Sequence, residues 1–315
     1  MVEQRHVPAR IGVRDVVRLE QETERLRGMD YRLGGGACRD AVIVTAAWSD
    51  QWLRAKSTAA VRTRLLVALG DLHNLAGWTC FDTGLDQAAT RHWDRALELA
   101  AEAGHDDLVA NIHYRSGRMR LHNARRRDAL DTFELGVMAA KRARSGHAVA
   151  MLRANEAWAH AGLGDQGMAL IRLRQAHDEF DRAAAGDAPA WAKFFDETDL
   201  SAMTGVVHTE LARTVDPSHT ATAIPALTTA VAGYPGSMLR SRTFSLIALT
   251  ANHLLDGDFD QADAVGRRAV EQACELSSIR VADRLQPLRH LADRYRGDPH
   301  ARTLAARIAA FTPNI

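Results

Sequence analysis

The sequence predicts an all-α fold built as an array of helical hairpins, a solenoid. Three observations predict it. First, a small residue is followed by another seven positions later five times: Ala89 and Ala96, Ala129 and Gly136, Ala169 and Ala176, Ala223 and Ala230, Ala262 and Ala269. The first members lie 40, 40, 54 and 39 residues apart, room for two helices and a turn. Second, apolar residues recur at helical spacing, alanine is abundant, and no alternating strand is legible. Third, Gly84, Gly104, Asn123, Gly146 and Gly164 punctuate the helical stretches. Gly and Asn accept positive φ at a helix end. Residues seven apart share a helix face, so two small side chains there let a neighbouring helix approach closely. Such an array buries its core between units and leaves a concave face open, which points to binding rather than catalysis.

The elements follow in order. Residues 1–10 read as a loose tail. Arg14 to Gly28 reads as a helix with Val16, Val17, Leu19 and Leu26 on one side. Asp15 stands in its first turn, where an acid is favourable. Gly34-Gly35-Gly36 breaks the chain, and a second helix from Cys38 to Lys56 carries Val42, Val44, Trp48 and Trp52. Residues 1–57 are thus an N-terminal helical cap. Helix pairs follow at 58–82 with 85–103, 106–122 with 126–143, and 147–162 with 165–184. Asp187-Ala188-Pro189 opens a longer connection into an irregular fourth unit, 191–233. A fifth pair, 237–256 with 258–276, turns at Asp256-Gly257-Asp258. The repeats span 58–277, about five pairs, and 278–315 supplies capping helices near 278–295 and 298–311. Pro287 is expected to interrupt the first of these.

Composition bounds the function. A net charge of +1 gives no general pull toward nucleic acid or a membrane surface. Lysine occurs only at Lys56, Lys141 and Lys193, and the arginine excess fits a GC-rich coding genome. Cys38, Cys80 and Cys274 are far apart and odd in number, which argues against a disulfide framework. The amino terminus has no apolar core of a leader, and no run of about 18 apolar residues occurs. The expectation is a cytoplasmic, reduced protein without a cofactor.

The paired small residues occupy the two alanine positions of the second helix of a tetratricopeptide repeat. That repeat also places a small residue twelve positions earlier, on the first helix. Gly77, Gly117 and Ala157 stand there in the first three units, whereas Leu211 and Thr250 stand there in the fourth and fifth. The chain therefore resembles a tetratricopeptide-like helical-hairpin solenoid, and the resemblance implies a right-handed superhelix. Arg10 to Gly36, RIGVRDVVRLEQETERLRGMDYRLGGG, adds a second resemblance. With LAGWTCFDTG (Leu75 to Gly84) and WAKFFDETDLSAMTG (Trp191 to Gly205), it is similar to the tetratricopeptide-like region of Cro/repressor-type helix-turn-helix regulators of GC-rich bacteria. The likeness runs from about residue 10 to 295. In those regulators a DNA-binding domain precedes this region. Here nine residues precede Arg10, too few for a recognition helix, so sequence-specific DNA binding is not expected.

The resemblance implies that the first helix of each unit lines the groove. Groove-facing residues are then Asp71, Asn74, Trp78 and Asp82 in unit one, Asn111, Tyr114, Arg118 and His122 in unit two, and Trp158 in unit three. Asn bonds backbone amides, Arg grips carboxylates and aromatic rings cover apolar side chains, a set that suits a peptide. A polar groove equally holds a small-molecule effector, and the tryptophans also fit plain packing roles.

Other clusters read more simply. Arg115, Arg118, Arg120, Arg125, Arg126 and Arg127 are flanked by Asp106, Asp107, Asp128, Asp131 and Glu134, and read as a solvated turn with ion pairs. His113 and His122, like the scattered His208, His219 and His253, lack metal-ligand spacing. Asp196, Glu197 and Asp199 beside Trp191, Phe194 and Phe195 read as a helix start. No strand precedes Gly34–Gly36 and no Lys-Ser/Thr follows, so it is not a phosphate loop. Cys80 lies in an apolar run and is expected to be buried and inert. Leu276, Ile279, Val281, Leu285 and Leu288 form an apolar series that suits either a homodimer or an internal cap. The expected function is a regulatory module that binds a peptide or protein segment in transcriptional or secondary-metabolism control. A scaffold for a biosynthetic assembly is the alternative, and an enzyme the weakest.

Overall fold

The computed structural model describes residues 8–183 and 188–312. The expected tail up to residue 7, Asp187 of the long connection and residues 313–315 lie outside them. Among the described residues are fourteen α-helices and no strand. They are α1 Val13–Leu33, α2 Arg39–Ser49, α3 Ala59–Asp82, α4 Asp86–Glu102, α5 Asp106–His122, α6 Arg126–Arg142 and α7 Gly146–Gly162. Then come α8 Gln166–Arg182, α9 Glu197–Thr214, α10 Thr220–Gly233, α11 Leu239–Asp256, α12 Phe259–Ala273, α13 Ile279–Asp293 and α14 Pro299–Ala309. No helix is long and apolar enough to cross a membrane. From α3 onward each helix packs against its neighbour as an adjacent pair, α3 with α4 through α13 with α14. The array is an all-α helical repeat.

The small residues explain the pairing. All five small-residue pairs are buried. Four residues after the first member of each pair stands the side chain that meets the partner helix. A Cβ on Gly77 would lie 2.6 Å from Nε1 of Trp93, and one on Gly117 would overlap the Phe133 ring. In the fourth unit the corresponding notch is Gly205 against Leu227, not Leu211. The connection from α9 to α10 is longer there and contains a short 3-10 turn, Pro217–His219, so the spacing grows by six residues. In the fifth unit the sizes are exchanged: Thr250 takes the notch position, and the partner is Gly266. A bare glycine backbone receives the facing side chain at each of these crossings.

Two turns differ from expectation. Positive φ falls on Gly84, Gly104, Gly164 and Gly257, but in the α5–α6 and α6–α7 turns it falls on Ala124 (59°) and Arg144 (58°). Asn123 has φ −79°, and Gly146 begins α7. A non-glycine side chain in this left-handed region carries a steric penalty of about 1–2 kcal/mol, partly offset by its smaller unfolded-state freedom. Arg144→Gly should therefore stabilise the protein by about 0.5–1 kcal/mol, read as a higher urea midpoint with unchanged slope. A lower midpoint would show that the Arg144 side chain contributes more than its backbone costs.

Three further expectations need correction. α1 extends to Leu33, and the second helix stops at Ser49, followed by a 3-10 turn over Asp50–Arg54. Pro287 lies inside α13 without interrupting it. Of the two roles open to the apolar series, the internal cap is the one found: Leu276, Val281, Leu285 and Leu288 are buried in the chain's own core against α11 and α14.

The largest departure concerns the open concave face. Helices α3, α5, α7, α9, α11 and α13 contact one another in succession, and α1 touches both α3 and α11. The start of the chain thus reaches across to its end and closes the array. Ser277 donates its N–H to Leu33 O at 2.9 Å, and Gly36 N–H donates to Ser277 O at 3.2 Å. The Gly34–Gly36 triplet is what permits this approach: a Cβ on Gly34 would lie 2.5 Å from Ser277 O, and one on Gly35 2.7 Å from the Asp82 Cβ.

Candidate functional site

Closure leaves a partly open central cavity of about 120 Å³. Its walls come from inner helices of both halves: Trp78 on α3, Tyr114 and Arg118 on α5, Trp158 on α7, Phe244 on α11 and Arg284 on α13. It shares Trp158, Val206, Phe244 and Arg284 with an adjoining cavity of about 530 Å³, and Tyr31 and Phe194 with another of about 730 Å³. The central cavity thus adjoins both of the others.

The α3 end of the cavity is a buried ion cluster. Asp82 has no exposed surface. It accepts from Arg280 Nε at 2.5 Å, Arg240 Nη1 at 2.9 Å, Ser278 Oγ at 2.8 Å and the Gly35 N–H at 2.7 Å. Arg240 also forks onto Asp30, with both bonds at 3.0 Å. Burial alone would push the Asp82 carboxyl up, but Arg280 and Arg240 outweigh it and hold the group well below the usual carboxylate range. Opposed charges compensate one another here, and the cluster joins α1, α3, α11 and α13.

On the cavity side the charges are not balanced. The Arg280 guanidinium lies 4.3 Å from the Trp78 ring centre, and Arg115 lies 5.3 Å from the same ring. Arg118 and Arg284 sit 5.0 and 4.7 Å from the Trp158 ring, and Arg284 is also 4.9 Å from Phe244. Guanidinium groups stack favourably on aromatic faces. Burial, then the neighbouring Arg118 and Arg280, push Arg284 down to about 9, with Glu210 opposing. It remains charged at neutral pH. Asp199 is the one carboxylate that lines this cavity among the described residues. It is half-buried, accepts from Tyr234 Oη at 3.0 Å, and burial pushes it up to about 7.

The residues expected in the groove separate into groups. Trp78, Tyr114, Arg118 and Trp158 line the central cavity. His122 lines the 530 Å³ cavity and bonds Asp283 at 3.1 Å. Asp71 and Asn111 line the 730 Å³ cavity, where Asp71 pairs with Arg27 at 2.5 Å. Asn74 and Asp82 face no open groove, since both are fully buried. Asn74 offers its backbone carbonyl to Arg115. For Asp82 the physical reason is closure: Gly35 after α1 and Ser278 and Arg280 at the start of α13 cover the end of α3. The arginine stretch also divides. Arg125 pairs with Asp128 at the surface, as expected of a solvated turn, but Arg115 is buried and Arg118 faces the cavity.

Sequence reasoning missed Arg240, Phe244, Arg280 and Arg284. A signal existed: both pairs have i,i+4 spacing, and Arg280 and Arg284 interleave with the buried Val281, Leu285 and Leu288. It also missed that His208 and His219 meet, Nδ1 to Nδ1 at 3.0 Å, as do His73 and His92 at 2.9 Å. Among the described residues no group of three or more His, Cys, Asp or Glu is placed to hold a metal ion. Asp196 caps α9 by accepting from the Thr198 and Asp199 N–H groups, so that cluster does start a helix. Cys80 is fully buried, and burial raises its thiol above the ordinary value.

These histidines set a pH dependence. Burial is the leading cause that lowers His92, His113 and His208, each to about 4, and it also lowers His122, His160 and His253. A folded state that binds fewer protons than the unfolded chain loses stability as pH falls, here from about 6.5 toward 4. Asp107, Glu156 and Asp199, raised by burial, work in the opposite sense. Six histidines outnumber three carboxyls, so the thermal midpoint should fall between pH 7 and pH 5 at constant salt. A midpoint that rises over that interval would contradict this.

Fold and cavity together define an all-helical repeat protein with an aromatic and cationic central cavity. The chain matches no family model, and no curated protein matches it.

Proposed function

We propose that the chain is a regulatory binding module that takes a peptide segment, or a small-molecule effector, into the central cavity. The array is read as a tetratricopeptide-like solenoid, a right-handed superhelix whose first helices supply the lining. One observation carries the reading. The cavity walls are indole, phenol and phenyl rings interleaved with guanidinium groups, side chains whose chemistry is recognition rather than bond making. The resemblance to the sensor region of helix-turn-helix regulators supports a setting in bacterial transcriptional or secondary-metabolism control, in the cytoplasm and without DNA contact by this chain. Because the two ends of the array close on one another, an occupant that alters their packing would be felt across the whole chain. A scaffold role draws on Leu135 and Met138, each about half exposed and one turn apart on α6.

Native mass spectrometry of the protein purified from its own host tests the reading. The expected result is a retained peptide or small molecule that is lost from the Arg118→Gln, Trp158→Leu double variant. Retention unchanged by both substitutions would remove the cavity from consideration. A bare mass with a co-purifying protein would favour the scaffold.

A further inference from the structure

Five arginines line the central cavity, and three of them, Arg118, Arg280 and Arg284, gather around Trp158 and Phe244. Arg118 and Arg284 share the Trp158 ring, and Arg280 and Arg284 share the Phe244 ring, so the three lie close together. The carboxylates near them are already engaged: Asp82 is shared by Arg280 and Arg240, Asp199 accepts from Tyr234, and Glu210 pairs with Arg213. Arg280 is more than nine-tenths buried, and its Nη2 has no hydrogen-bond partner. Nε of Arg284 is likewise buried and unpartnered. Arg118 reaches only the Tyr114 hydroxyl, at 3.2 Å. A buried donor left unmade costs about 1–3 kcal/mol, more when charged. Guanidinium donors buried without partners beside aromatic rings are therefore unfavourable unless an anion meets them. Such an arrangement persists where an anion completes it.

We propose that the cavity holds a carboxylate on a flat apolar body, with the carboxylate between Arg280 and Arg284 and the body against Trp158 and Phe244. The inference rests on the reading of this cavity as the ligand site and names the chemistry of its occupant. A guanidinium fork matches two carboxylate oxygens. Both arginines stack on Phe244, with Arg280 5.6 Å and Arg284 4.9 Å from its ring, so aromatic surface lies beside the anion position. Size sets the scale: a water needs about 10–15 Å³ of such space, so a cavity of about 120 Å³ admits on the order of ten heavy atoms. A larger occupant would extend into the 530 Å³ cavity past Arg284. The carboxylate belongs either to a free small acid or to the C-terminus of a peptide, and the chemistry at the arginines is the same.

The test is thermal unfolding with defined probes at constant ionic strength and pH 7.5. Phenylacetate should raise the midpoint in a concentration-dependent way, whereas phenylacetamide, the same body without charge, should not. N-acetylphenylalanine against N-acetylphenylalaninamide separates the sources. A larger shift from N-acetylphenylalanine than from phenylacetate assigns a peptide terminus, and the reverse order a free acid. Arg284→Gln should weaken phenylacetate binding about tenfold or more and raise the midpoint of the ligand-free protein, because it removes an unpartnered charge. Arg118→Gln should weaken binding in the same way. Equal shifts from acid and amide, an effect of inorganic phosphate with none of phenylacetate, or a phenylacetate shift unchanged in both variants overturns the proposal. If phenylacetate is inert while native mass spectrometry still finds a neutral ligand lost on Trp158→Leu, the anion assignment falls and the binding site stands.

Discussion

Replacing Asp82 with alanine should destabilise the protein by about 3–5 kcal/mol, the cost of leaving buried guanidinium charge unpaired. Arg280 would lose its only carboxylate among the described residues, while Arg240 would keep Asp30. The Gly35 N–H and the Ser278 hydroxyl would lose their acceptor as well. All of these groups are buried, so solvent cannot replace what is removed. Chemical denaturation measures the loss as a fall in midpoint. Hydrogen exchange adds a local reading, because the cluster pins the chain crossing between Leu33, Gly36 and Ser277. Exchange at the Gly36 and Ser277 amides should accelerate before that of the α7–α8 core. A loss under about 1 kcal/mol would place Asp82 with surface ion pairs and would mean that closure does not depend on it.

The second large effect lies in the helix crossings. Trp93 is 1% exposed and Phe133 is fully buried, each facing the bare backbone of a glycine. Phe133→Ala should cost about 3–5 kcal/mol, because the ring is lost and the surrounding helices cannot collapse into the space. Gly117→Ala acts from the other side. Its Cβ would overlap the Phe133 ring, an overpacking worth about 1–3 kcal/mol. The two substitutions should therefore be strongly non-additive: in the Phe133→Leu background the Gly117→Ala cost should shrink, since the smaller side chain yields room. Denaturant midpoints of the four proteins in this cycle check it. Additive costs would mean that α5 and α6 shift apart rather than press the ring against the new methyl.

What the sequence carried by itself was local. Helix spacing, turn glycines and the seven-residue pairing of small residues are properties of one or two helices, so α3 to α8 were legible within two residues of their ends. Trp78, Tyr114, Arg118 and Trp158 were legible for the same reason, since each faces inward by its register within a hairpin. Even there one length change misplaced a notch: the longer α9–α10 connection moved it from Leu211 to Gly205. Closure was a different matter. Asp82 with Arg280 and Ser278, and Asp30 with Arg240, are separated by about 200 residues in sequence, and no periodicity links them. The small rotation between successive hairpins accumulates along the array, and only that sum decides whether the two ends meet. Tertiary structure alone therefore turned an open groove into a central cavity walled from both halves. It made Asp82 a buried clasp and brought Arg240, Arg280 and Arg284 to residues on α3, α5 and α7.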